Sequence, residues 1–166
     1  SYEYVVRITG DCPLIHPPFI DAQIEALIEN NGDIVYFSTE SAILQGQGVL
    51  SSRALLHVAE NTKDPIDLEH VGSKYFIDNL DEFRYVQFNI PEYFAKQSYR
   101  LTVDEIEDYQ FLDKLFSMRW RHSSPGLIEV ISWLNGQDNL NMINKDIEES
   151  HINQEIANKK NIFIPR

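Results

Sequence analysis

One cysteine, Cys12, stands among 166 residues. A lone cysteine closes no internal disulfide, so a secreted, disulfide-stapled scaffold is excluded and a reducing compartment fits. No apolar run approaches the roughly 20 residues that span a bilayer. Nothing reads as a secretory leader, and the expectation is a cytoplasmic protein with no membrane partner. Basic residues are scarce. Lys and Arg total 14 against 26 Asp and Glu, a formal charge of −12. Nucleic acids and anionic membranes want clustered positive charge, so no nucleic-acid partner is expected either. His16, His57, His122 and His151 are scattered, with no metal-ligand spacing, and Glu69-His70 reads as a surface or helix-packing pair. There is no Ser-His-Asp order and no G-x-S-x-G elbow. Gln45-Gly46-Gln47-Gly48 is too short, and lacks the lysine, to cradle phosphates. No repeat, low-complexity tract or interdomain linker interrupts the chain.

What is present is enough for one α/β domain. Hydrophobic residues make up 43% of the chain, and this length buries a real core. Tyr2 to Thr9 reads as a strand. Pro17-Pro18 suit the first turn of a helix, which carries Phe19, Ile20, Ile24, Leu27 and Ile28 and ends at Asn30-Asn31-Gly32. Ile34 to Phe37 reads as a buried strand, completing a βαβ unit whose default is a parallel pair. Ser38 to Gly48 reads as a loop over the sheet's edge, and Val49-Leu50 as a short strand. Helices are expected over Ser52–Glu60 and Asp67–Asn79, the latter with Leu68, Val71, Tyr75 and Phe76 on one side. Strands are expected over Phe83–Ile90 and Ser98–Val103, with a loop from Pro91 to Gln97. Asp104 to Met118 has helical periodicity through Ile106, Tyr109, Leu112 and Phe116. Ser124-Pro125 opens another helix, with Leu127, Ile128, Ile131 and Leu134, stopping at Gly136. Asn139 to Lys160 reads as a polar helix. Its Ile143, Ile147, Ile152 and Ile156 are spaced for partial burial against a partner.

The stretch that organises the rest is Val5 to Ile15. An apolar run stops at Gly10-Asp11-Cys12-Pro13. Gly10 gives the backbone freedom, Pro13 forbids the strand to continue, and Asp11 is held past the strand's carboxyl end, where α/β sheets bind ligands. The plain alternative is a turn aspartate bonding nearby amides. Asp104 repeats the context: it follows Tyr99 to Val103 and opens a helix. Its plain alternative is a capping box with Glu107, Asp108 adding to the helix dipole. If the two strands are neighbours, both carboxylates face one crevice. Two carboxylates, several waters and substrate phosphates make a Mg²⁺ site. Cys12 reads as a small buried residue whose thiol pKa Asp11 raises.

These motifs, in this order, carry a resemblance. Arg7-Ile8-Thr9-Gly10-Asp11-Cys12-Pro13-Leu14-Ile15, then Glu69-His70-Val71, then Arg100-Leu101-Thr102-Val103-Asp104 with Glu107-Asp108, resemble the cytidylyltransferase-like family of the spore-coat polysaccharide type. That family is related to the acylneuraminate and other CMP-sugar synthetases. The resemblance extends through Leu127–Ile131 and Asn139–Asn144. It implies a Rossmann-like nucleotide-diphospho-sugar transferase fold. It implies a nucleotidyltransferase that moves CMP from CTP to a sugar, releases pyrophosphate and serves cell-surface polysaccharide biosynthesis. By the same resemblance Asp11 and Asp104 bind Mg²⁺ and act through it, while Gln45, Gly46 and His70 are candidate substrate-binding residues. The implied domain plan is a partial nucleotidyltransferase domain over 1–120 and its C-terminal helical extension over 121–166.

The departures are specific. The family's first strand and its Arg-, Gly- and Lys-rich loop have no match and would lie before Ser1. His16 stands where an aspartate is common, and Glu105-Ile106 replaces the usual Thr-Pro. The family's Gly-x-Asp-x-Glu run is not present near Gln45 to Leu50. The expectation is an N-terminally incomplete fragment, inactive alone, in a homo-oligomer, as related synthetases are often dimers. Two alternatives stand beside it: a noncatalytic binding or assembly domain, and a glycosyltransferase of the same fold.

Overall fold

The computed structural model describes residues 2–37, 41–137 and 144. The expected helix from Asn139 to Lys160, with its four isoleucines, lies outside these residues apart from Asn144. Strand β1 (Tyr4–Ile8) leads through the Asp11 turn into helix α1 (Pro17–Asn30), and strand β2 (Ile34–Phe37) follows. A single 3₁₀ turn (Ala42–Leu44) precedes strand β3 (Gln47–Ser51) and helix α2 (Ser52–Asn61). Helices α3 (Pro65–Glu69) and α4 (Ser73–Asp78) come next, then strand β4 (Tyr85–Phe88). The short helix α5 (Glu92–Ala95) and the helices α6 (Ile106–Arg119) and α7 (Leu127–Leu134) complete the described chain.

The four strands form one sheet in the order β1-β3-β2-β4. β1, β2 and β4 point the same way, and β3 runs against them. This corrects the expected β1–β2 parallel pair. β3 lies between them, antiparallel to both, with Val5 opposite Leu50 and Ile34 opposite Leu50. The parallel pairing is β2 with β4, from Ile34–Tyr85 to Phe37–Phe88. The physical reason is the short return after β2, which suits an antiparallel neighbour, whereas a parallel one needs a long crossover. The sequence expectation placed Gln47 and Gly48 in a loop; they begin this inner strand.

Side chains alternate across the sheet. Val35, Val49 and Val86 face α1, where Ile20 and Leu27 meet them. Ile34, Leu50 and Tyr85 face the opposite way, toward Ala54 and Val58 of α2 and Phe76 of α4. A third and larger cluster gathers Phe19, Ile43, Phe94 and Trp120 with the inner faces of α6 and α7. Phe37 and Phe88 pack against it from the sheet, linking α6 and α7 to the strands' carboxyl ends.

Several local expectations shift. α1 ends where foreseen, with Asn31 in the left-handed region at φ 47°, but Ile28 faces solvent and Gln23 is buried in its place. The expected helix over Asp67–Asn79 is broken at Val71 and Gly72, with φ of 55° and 79°. Leu68 consequently points outward. The loop from Pro91 contains α5. α6 is rotated about one residue from its expected face: Phe111, Leu112 and Leu115 are buried, while Ile106 and Tyr109 are exposed. The rotation follows from Asp108, drawn inside by Arg100 and Asn144. α7 starts at Leu127 behind Gly126 rather than at Ser124-Pro125, and Val130 is buried where Ile128 was expected. Ser98 to Val103 is not a strand of the sheet. Among the described residues, no helix is long and apolar enough to cross a membrane.

Candidate active site

The Asp11 turn is built from both sides. After β1, the Thr9 amide donates to Gly46 O at 2.9 Å, and the Cys12 amide donates back to Thr9 O at 3.3 Å. That i to i+3 bond closes a β-turn with Gly10 and Asp11 at its centre. Gly10 itself is not forced to be glycine. Its φ is not positive, and an added Cβ would meet nothing within 4 Å. The glycine this turn requires is Gly46, at φ 71°. A Cβ there would sit 2.2 Å from Thr9 Oγ1 and 2.4 Å from Cys12 Sγ. The expected edge loop therefore packs its backbone directly on the turn that presents Asp11.

The second motif arrives at the same turn. The Val103 amide donates to Asp11 O at 2.8 Å. Thr102 Oγ1 donates to the same carbonyl at 3.4 Å, across 91 residues of sequence, and Cys12 Sγ lies 3.7 Å from Thr102 Oγ1. The segment before Asp104 is thus stitched to the segment bearing Asp11, although it is not a strand of the sheet. Both aspartates are exposed. The hydrogen bond from Thr9 holds the Asp11 carboxyl below its ordinary pKa, so it is fully ionised at neutral pH. Burial is the main force pushing the Cys12 thiol up, with Asp11 adding to it. The thiol is neutral and is no nucleophile.

Asp104 is not the helix cap. Glu105 holds that position, and the buried carboxylate that serves the helix start is Asp108. Its Oδ2 accepts from the Asp104 amide at 3.1 Å and the Glu105 amide at 3.0 Å. Arg100 Nε donates to Asp108 at 2.9 Å, and Arg100 Nη2 donates to Asp104 Oδ2 at 2.6 Å. Burial pushes Asp108 up, but the bonds from Arg100 and Asn144 more than offset it and leave its pKa lowered. Asp108 therefore takes the structural work expected of Asp104. Arg100 was the missed residue here. It lies before α6, in chain with no regular structure, so no periodicity in the sequence points to it.

The other candidates divide. Gln45 is exposed and adjoins Gly46, so both lie at the Asp11 turn. His70 does not join them. It ends α3, and its carbonyl accepts from Ser73 Oγ at 2.7 Å. The neighbouring Gly72 packs on Val58, in the cluster at the opening ends of β1, β2 and β4. His16, by contrast, borders the site. It precedes α1, its ring lies 5.1 Å from that of Phe94, and burial lowers its pKa.

Among the described residues, no group of three or more His, Cys, Asp or Glu is assembled for a metal ion. Two exposed carboxylates do suit Mg²⁺, which takes one or two and completes its shell with water and phosphate oxygens. A cleft of about 230 Å³ lies at the other end of the sheet, lined by Tyr4, Asp33, Arg53 and Arg84. Its two guanidinium groups are already turned onto Asp33. Charge convergent on an internal carboxylate is a structural arrangement, and the chemistry is better sought at Asp11.

Comparison with known proteins bears on the family and the fold. An uncharacterized protein of Methanocaldococcus jannaschii, MJ1063, is 32% identical over 153 residues, covering 90% of this chain and 60% of that protein. The spore coat polysaccharide biosynthesis protein SpsF of Bacillus subtilis is 29% identical over 134 residues, covering 79% and 54%. The chain thus spans a little over half of the curated relatives it matches. A solved cytidylyltransferase structure from Leptospira borgpetersenii shares the fold, with a TM-score of 0.67 at 22% identity, covering 90% of this chain and 61% of that one. The model of the cytidylyltransferase family matches residues 1–147, and the chain, with its mixed α/β sheet and flanking helices, belongs to that family.

Proposed function

We propose that this chain carries the Asp11–Asp104 half of a nucleotidyltransferase site that moves CMP from CTP to a sugar, with release of pyrophosphate, in cell-surface polysaccharide biosynthesis. The observation that carries the reading is the bond from the Val103 amide to Asp11 O at 2.8 Å. It supports a single site for two carboxylates that the sequence separates by most of the domain. In the reaction, a sugar hydroxyl oxygen bonds to the α-phosphorus, the bond from that phosphorus to the bridging oxygen breaks, and pyrophosphate leaves. The hydroxyl proton passes to solvent.

Asp11 and Asp104 are the residues that would hold Mg²⁺. Bound there, the ion supplies charge neutralisation on the phosphates, which a chain of formal charge −12 needs before an anionic nucleotide approaches. The chain's own part is to present the ligands. The hydrogen bond from Thr9 favours the ionised form of Asp11, and Asp108 relieves Asp104 of capping. Arg100 orients the Asp104 carboxylate, and Gln45 and Gly46 form the rim that substrate meets. His70 has no part in this arrangement. Preorganised charge of this kind acts on the transition state rather than on binding alone. CTP supply places the reaction in the cytoplasm.

The test is pyrophosphate release by the full-length gene product, with CTP, a panel of sugars and varied Mg²⁺. Release that requires both sugar and Mg²⁺, and favours CTP over the other nucleoside triphosphates, is expected. Absence of release with every nucleotide and sugar, or release indifferent to sugar, contradicts the proposal.

A further inference from the structure

Behind Gly46 lie two buried glutamines. Gln23 of α1 is 0% exposed, and Gln47, the first residue of β3, is 4% exposed. Gln23 Nε2 donates to Phe19 O at 3.3 Å and to Gln47 O at 3.2 Å. Gln47 Oε1 accepts the His16 amide at 2.8 Å. One side chain ties α1 to β3, and the other ties β3 to the residue that opens α1. These bonds also assign the amide ends, since a donor must be nitrogen and an acceptor oxygen.

What is left over is a matched pair. Gln23 Oε1 is a buried acceptor and Gln47 Nε2 a buried donor, and neither has a protein partner among the described residues. Buried amide atoms left unpaired are costly, and apolar side chains of similar size would avoid that cost. One water molecule that accepts from one amide and donates to the other satisfies both, as buried waters commonly do. We propose that Gln23, Gln47 and one enclosed water form a clamp that fixes the Gly46 backbone against the Asp11 turn, making both glutamines positioning residues. The route is short. Gln47 follows Gly46, Gly46 O accepts the Thr9 amide, and Thr9 O accepts the Cys12 amide in the turn that presents Asp11. The clamp's service to Asp11 rests on the nucleotidyltransferase reading above; the clamp itself does not.

Two measurements separate these. In the 166-residue chain, NMR should show a long-lived water contact to the Gln47 side-chain amide, and slow exchange at the Thr9 and His16 amides. Gln23→Met keeps the volume and removes both donated bonds. It should speed exchange at Thr9 and His16 by roughly tenfold, abolish the water contact, and leave the Val35 and Val86 amides unchanged. Gln47→Met removes the acceptor for His16 and should free His16 similarly, so the clamp stays testable if the first variant fails to fold. No water contact in the wild type, or unchanged Thr9 and His16 exchange in both variants, overturns the clamp. In the full-length gene product, both variants should raise the half-saturating Mg²⁺ several-fold with kcat at saturating Mg²⁺ nearly kept. Wild-type Mg²⁺ dependence in both variants overturns the positioning role. The clamp signatures in a protein that releases no pyrophosphate would uphold the clamp and remove the transfer reading.

Discussion

Asp33 and Asp11 lie at opposite ends of one sheet, each beside a strand, and they are treated in opposite ways. Asp33 precedes β2 and is 1% exposed. Its carboxylate accepts from Ser51 Oγ at 2.7 Å, from Arg53 through both oxygens, and from the Arg84 amide at 2.9 Å. Asp11 follows β1 and is exposed, and its carbonyl rather than its carboxylate takes the long-range bonds. Asp108 and Asp104 repeat the contrast within one helix start. A buried and saturated carboxylate is committed to the fold, whereas an exposed one on a rigid mount keeps oxygen lone pairs open to a ligand, even where, as at Asp104, Arg100 holds one oxygen. The distinction is one of partners, which residue type alone does not reveal.

The strongest way to break the comparison is to exchange charge for amide at the exposed end. Asp11→Asn should lower pyrophosphate release at least a hundredfold, since a lost preorganised contact costs about 3 kcal/mol in the transition state. Thermal unfolding should show stability within about 0.5 kcal/mol of wild type, as for most surface changes. Asp33→Ala should do the reverse. Removing a buried partner from Arg53, Ser51 and the Arg84 amide should cost about 3 kcal/mol in denaturant unfolding, with kcat kept in the folded fraction.

Acid sharpens the contrast. Burial pushes the Asp33 pKa up, but the bonds from Arg53 and Ser51 outweigh it and bring the pKa to about 2, from an ordinary 3.8. A depressed carboxyl contributes stability above its unfolded pKa and loses it as pH falls through its folded one. About 2 kcal/mol should therefore disappear between about pH 4 and pH 2. Urea midpoints across that range should fall for wild type, and the share owed to Asp33 should be missing in Asp33→Asn. The smallest effect belongs to the turn: Gly46→Ala places a Cβ against Thr9 and Cys12 at positive φ. It should cost about 1–2 kcal/mol and shift the NMR resonances of Thr9 and Cys12. Unshifted resonances would mean that Gly46 does not brace the turn.

Local pattern made much of this legible. α1 with its αL stop at Asn31, the runs of β2 and α2, and the break after β1 follow from proline, glycine and hydrophobic spacing. The two aspartates were legible as strand-end acids from their shared context. Three things were not. The place of β3 between β1 and β2 is a long-range pairing, and Gln47-Gly48 has the composition of a loop. The faces of α6 turn on Asp108, which goes inside only because Arg100 and Asn144 meet it there. The helix break at Val71-Gly72 places a β-branched residue at positive φ, against its preference; the buried Asp67, which accepts the Gly72 amide at its carbonyl and the Tyr75 amide at its carboxylate, holds the break, and hydrophobic spacing does not show that. Gly10 does not use the backbone freedom of its residue type; the glycine at positive φ is Gly46, 36 positions later, which local pattern cannot connect to the turn.

The central claim is that Asp11 and Asp104 are one site. A double-mutant cycle on Mg²⁺-dependent pyrophosphate release from CTP, with Asp11→Asn, Asp104→Asn and the pair, measures it directly. Residues acting as a unit are non-additive. The predicted result is that each single change removes most activity and the double variant is little worse than either. Wild-type release by both single variants, or losses that simply multiply, would contradict the account.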